Sequence, residues 1–137
     1  MNKLLFFLSI SIIFNSCEVE NNKIINYPSI SIINPSQELF NTGQDINIDI
    51  LITHDEVIDN ILYIETCECT NENFNTLELI ELKNVFQNEW NYQKTISTIN
   101  IPTDVMCDYN IEISAEDISG NERSKSIYFH LMNMNEN

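Results

Sequence analysis

Residues 107–121 read Cys107-Asp108-Tyr109-Asn110-Ile111-Glu112-Ile113-Ser114-Ala115-Glu116-Asp117-Ile118-Ser119-Gly120-Asn121, and this stretch decides the fold. Tyr109, Ile111, Ile113 and Ala115 alternate with Asn110, Glu112, Ser114 and Glu116. Successive side chains of a strand point to opposite faces, so the pattern predicts a strand with one dry and one wet face. Asp117 to Asn121 ends it, because Asp bonds its own backbone while Gly and Asn accept the positive φ of a tight reversal. Alternation resumes at Ile127, Phe129 and Leu131, which makes a hairpin.

The same period runs upstream. Pro28 suits the first residue of a strand, Ile30, Ile32 and Ile33 follow, and Pro35 breaks the run. After a turn at Asn41-Thr42-Gly43-Gln44, Ile46, Ile48, Ile50 and Ile52 alternate with Asp and Asn. His54-Asp55-Glu56 reads as a polar turn. Residues 57–66 then form a third strand with Ile58, Leu62 and Ile64 on one face and Ile61 and Tyr63 on the other, which suggests a central position. Residues 67–73 read as a loop. Residues 76–82 start with Leu77 and Leu79 inward and shift register at Ile80 and Leu82, the mark of a bulge or an edge. A strand over 90–101 ends at Pro102. About seven short strands with turn signals between them, and no helical period, predict an all-β antiparallel sandwich.

The chain has 137 residues, with 6 Lys+Arg against 21 Asp+Glu, a formal net charge of -15. That length supports one domain plus a leader, and that charge would be repelled by a polyanion, so no nucleic-acid partner is expected. Gly43 and Gly120 are the only glycines and lie far apart, so no phosphate-cradling loop exists. Asn is abundant, yet no Asn-x-Ser/Thr sequon with a permitted middle residue occurs.

Lys3 precedes an almost unbroken apolar run over residues 4–14, interrupted by Ser9 and Ser11. As a helix it would rise only about 16 Å, short of the ~30 Å hydrocarbon core, so it reads as a signal-peptide core. Its ending, Phe14-Asn15-Ser16-Cys17, resembles a bacterial lipoprotein signal peptide, with Phe14 and Asn15 departing toward the relaxed pattern of Bacteroidetes-type lipoproteins. The resemblance implies cleavage after residue 16 and lipidation of Cys17 (palmitate among the acyl chains), so that the partner is a membrane reached through a lipid anchor. The competing reading is ordinary secretion with Cys17 as a disulfide partner. Residues 17–27 would then be the lipidated Cys and a tether; the acids just after Cys17 resemble surface-export signals, which implies the outer membrane and surface display.

Residues 28–134 form the expected domain, and two features resemble bacterial Ig-like domains. Tyr109 stands two residues before Ile111, as the tyrosine before the central core position of the sixth strand does, which implies a hydroxyl bonded back to residues 102–106. Ala115-Glu116-Asp117-Ile118-Ser119-Gly120-Asn121 resembles the Ala-x-Asp-x-x-Gly-Asn close of bacterial Ig-like repeats. No Cys stands at 111 and no Trp on the third strand, so the resemblance is to the bacterial branch, including an Ig-like lipoprotein family of unassigned activity.

In such a sheet the third and sixth strands are neighbours, which implies one disulfide from Cys107 to Cys67 or Cys69. Three Cys and His130 at one pole raise zinc, against which stand the Cys-x-Cys spacing and the strand period that points His130 away from Cys107. Acid-rich turns offer calcium candidates in Asp55, Glu56, Asp59, Glu116, Asp117 and Glu122, although no spaced ligand loop is present. Trp90, Tyr92 and an outward Tyr63 would make an aromatic platform for sugar rings. No Gly-x-Ser-x-Gly or His-Glu-x-x-His motif assembles a nucleophile or metal base. The expectation is a non-catalytic module without cofactor, for an unknown protein partner or, alternatively, for the glycans of a polysaccharide-uptake system.

Overall fold

The computed structural model describes residues 25–133. Cys17, the signal peptide, most of the tether and Met134 lie outside the described residues. Seven strands are formed: β1 (Ser29–Asn34), β2 (Leu39–Asn41), β3 (Asp45–Cys69), β4 (Thr76–Leu82), β5 (Gln87–Ser97), β6 (Cys107–Asp117) and β7 (Glu122–Met132). Among the described residues a single 3₁₀ turn spans Glu72–Phe74. The described residues are therefore all-β.

One element organises the rest. β3 runs 25 residues without a break. Its first half pairs with β1 and β5, and its second half with β4 and β6. From β6 the sheet continues through β7 to β2. The resulting sheet curls around one hydrophobic cluster to which β1, β2, β3, β6 and β7 all contribute. Its first arm supplies Ile46, Ile48, Ile50 and Ile52, each buried to 1 % exposure or less. Burying an isoleucine stabilises by about 1.5–3 kcal/mol relative to leaving it in water, so this row is a principal source of the fold's stability.

The β6–β7 hairpin forms as the sequence predicts, with Tyr109, Ile111, Ile113 and Ala115 inside and Gly120 at φ +81 in its turn. Elsewhere the structure corrects the expectation. β2 runs parallel to β7 (Phe40 opposite Leu131), so the sheet is mixed and not purely antiparallel. His54-Asp55-Glu56 is no turn: the strand passes through it, and the His54 imidazole is buried against Asp117. Residues 67–69 extend β3 where the sequence predicts a loop.

The faces of the second half are also exchanged. Ile61, Tyr63, Glu65 and Cys67 point inward, while Leu62 and Ile64 are half-buried on the other side. A register shift between Ile58 and Asn60 advances the strand by one residue, which reverses every later side chain. β4 shows no such shift; Leu77 and Leu79 are exposed and Ile80 and Leu82 pack on the core. β5 begins at Gln87 and ends at Ser97, earlier than expected.

Candidate functional site

The second half of β3 brings unusual groups into the core. Cys67 and Cys69 lie two residues apart and so share a face. Cys69 stands directly opposite Cys107 on β6, and the two form a disulfide. Of the two pairings left open by the sequence, the bridge is Cys69–Cys107. Cys67 is a free, buried thiol with its sulfur 3.4 Å from Cys69 Sγ. All three sulfurs lie within 4.8 Å of one another. Burial pushes the Cys67 thiol up from its ordinary range, although the Tyr109 hydroxyl beside it favours the thiolate. Tyr109 stacks on Phe129 with ring centres 4.9 Å apart and meets Cys67; the implied bond to residues 102–106 is not formed. Cys69 and Cys107 open on a surface cleft of about 410 Å³ that Glu68, Met106, Asp108 and Met132 also line.

Two residues along the same row, Glu65 is a carboxylate buried to 4 % exposure. A buried charge is costly unless paired and hydrogen-bonded. Here the Tyr63 hydroxyl donates to it at 2.6 Å, and Lys94 Nζ donates to both oxygens at 3.0 and 2.9 Å. Lys94 sits opposite Ile48 on β5, and it also pairs with Glu78 on β4. The lysine thus ties the first arm of the sheet to the second. Burial works against its charge, but the two carboxylates outweigh that and hold its pKa above the usual lysine range. Burial and the Glu65 bond together push Tyr63 far up, so its hydroxyl stays a donor.

The aromatic candidates separate. Tyr63 is fully buried, which corrects its expected outward position. Trp90 and Tyr92 stack with nearly parallel rings at 5.5 Å, half-buried on the core-facing side of β5, with Tyr92 leaning on Tyr63 at 4.9 Å. The calcium candidates do not converge as one ligand set. Asp117 accepts from the Ser119 and Asn121 amides, the Asn121 side chain and His54. Burial alone would raise its pKa, yet the Asn121, Ser119 and His54 bonds lower it to about 2. Glu116 accepts from Asn60, Asp55 from Asn26, and the Asp59 carbonyl accepts from Val85. Glu122 lies opposite Glu116 across the hairpin. Glu56 alone comes near Asp117, together with His54.

His130 lines the same cleft but pairs with Asp108 at 2.6 Å and does not join the three sulfurs. A zinc site built on three Cys and His130 is therefore not assembled. Glu65 escaped the sequence reading, and Cys67 is read there as a bridge candidate and not as a buried free thiol. Glu65 and the free Cys67 sit on a face that the unseen register shift reversed. Glu65 carried a signal nonetheless, an acid flanked by Ile64 and Thr66 in a strand with partners on both sides.

No protein-family description and no curated protein matches the sequence. Among solved structures, the sporulation control protein Spo0M from Bacillus subtilis is similar at TM-score 0.40 and 6% identity. The match covers 78% of this chain and 49% of that one, so the chain spans about half of its length.

Proposed function

We propose that this chain is a cell-envelope lipoprotein that presents one Ig-like β-sandwich module as a binding or scaffolding surface and carries out no catalysis. The anchor reading rests on Phe14-Asn15-Ser16-Cys17 behind the apolar run. Several acyl chains would hold the module almost permanently, since each buried methylene contributes ~0.8 kcal/mol. The Ig-like reading draws on β3 serving both arms, on the β6–β7 hairpin, and on the short β2 lying parallel to β7.

The observation that carries the binding reading is an apolar patch on the outer face of β3 and β4. Leu77 and Leu79 are 71% and 59% exposed, and Leu79 lies opposite Ile64 with Leu62 one step along. In a chain of net charge -15, such a patch on an otherwise polar face suits a partner with apolar side chains of its own. A photo-crosslinking side chain at position 79, in the cells that make the protein, should give one discrete adduct that is absent when the same group stands at Asn47. Labelled palmitate should enter the wild type and not Cys17→Ser. Absence of the adduct would end the binding reading, and an unchanged lipid label would end the anchor.

The glycan alternative keeps one support, the half-open Trp90–Tyr92 stack. Glycan-array signal lost in Trp90→Ala would favour it over a protein partner.

A further inference from the structure

The sulfur pole holds a nucleophile and its target in contact. Cys67 Sγ lies 3.4 Å from one atom of the Cys69–Cys107 bridge, and Cys107 Sγ is within 4.8 Å of the same thiol. Cys69 is half-exposed at the cleft beside Glu68 and Asp108, whereas Cys67 is shut inside. We infer that Cys67, Cys69 and Cys107 form a thiol–disulfide exchange centre, with Cys67 as the resident nucleophile and Cys69 as the point where an external neutral or cationic thiol enters.

The internal step balances without any oxidant. Cys67 loses its proton, in exchange for the one the departing Cys107 sulfur takes up, and its sulfur attacks Cys69 Sγ. The Cys67–Cys69 bond forms, the Cys69–Cys107 bond breaks, and Cys107 leaves as a thiolate that takes up a proton. An external thiolate accelerates the same rearrangement. It attacks Cys69 Sγ to give a mixed disulfide and expels Cys107; Cys67 then displaces the external thiolate and closes Cys67–Cys69. The external thiol is regenerated and nothing is oxidised overall. The surroundings set its preferred charge. Glu65 and Asp108 oppose negative charge at Cys67, and Glu68 lines the entrance with Asp108 and its partner His130, two acids against one imidazole. Anionic thiols are repelled there, and cationic ones are drawn in.

The test uses the full chain, incubated with cysteamine or glutathione at equal thiolate concentration. Samples are quenched in acid, free thiols are capped with light maleimide under denaturing acidic conditions, and the bridge is then reduced and capped with heavy reagent. Peptide mapping reads each cysteine separately, so Cys17 does not interfere. The light label should start on Cys67 and spread to Cys107, several-fold faster with cysteamine. In Cys67→Ser a cysteamine adduct should accumulate on Cys69, read by mapping a portion of each sample before the reduction step, whereas in wild type it should be resolved. Light label confined to Cys67 throughout, equal rates for the two thiols, or equal adduct in both proteins would overturn the inference. Wild-type labelling decides the matter by itself if the variant does not fold.

Discussion

Between Asp45 and Thr53 the core-facing row of β3 is Ile46, Ile48, Ile50 and Ile52; between Ile58 and Cys69 it is Ile61, Tyr63, Glu65 and Cys67. Both rows belong to one strand and are buried to a similar depth. The first contains only hydrocarbon, so its contribution depends on packing and is indifferent to pH or redox state. The second contains a hydroxyl, a carboxylate and a thiol, and each must find a partner inside the protein. Tyr63 and Lys94 serve the carboxylate, and Tyr109 and the bridge surround the thiol. One arm supplies stability, and the other concentrates the chemistry.

The contrast can be broken most severely in the hydrocarbon row. Ile50→Ala should cost about 2–5 kcal/mol in urea unfolding, with little change between low and high salt. Cys107→Ser should lose about 2–4 kcal/mol by opening a bridge across 38 residues of sequence, and only this loss should be mimicked in wild type by a reductant. Lys94→Met should cost about 1–3 kcal/mol by leaving Glu65 without its cation. Adding Glu65→Gln should recover much of that loss in a double-mutant cycle; simple additivity would mean that the two do not interact.

A smaller effect concerns Asp117, whose folded pKa of about 2 lies below the ordinary carboxylate value of 3.8. The unfolded chain binds its proton first as pH falls, so the stabilisation is complete above pH 4 and is lost toward pH 2. The melting temperatures of wild type and Asp117→Asn should therefore converge as pH drops through that window. The least effect is expected outside: Leu79→Ser should change stability by less than about 0.5 kcal/mol, since its side chain already faces water.

Strict alternation is readable wherever one face is dry and the other wet, as in β6 and the first half of β3. It fails at Ile61-Leu62-Tyr63-Ile64, where apolar residues occupy both faces and the period has no phase of its own. The phase there is set by the irregularity between Ile58 and Asn60, a matter of pairing with β6 that no local pattern encodes. For that reason the sequence misplaces Tyr63 and hides Glu65 and Cys67 as core groups. His54 reads as part of a turn because a polar triplet usually marks one; Asp117, 63 residues away, makes its burial tolerable. The cysteine pole is legible as a neighbourhood, because β3 and β6 have to be adjacent in the fold implied, but the choice of Cys69 over Cys67 requires the register.

The exchanged faces of β3 can be tested on the untouched protein by hydroxyl-radical footprinting read by mass spectrometry. Tyr63 and Tyr109 should be protected in the folded chain, while Tyr128, Leu77 and Leu79 are oxidised readily. Oxidation of Tyr63 as heavy as that of Tyr128, with Leu79 protected, would contradict the register and the polar core built on it.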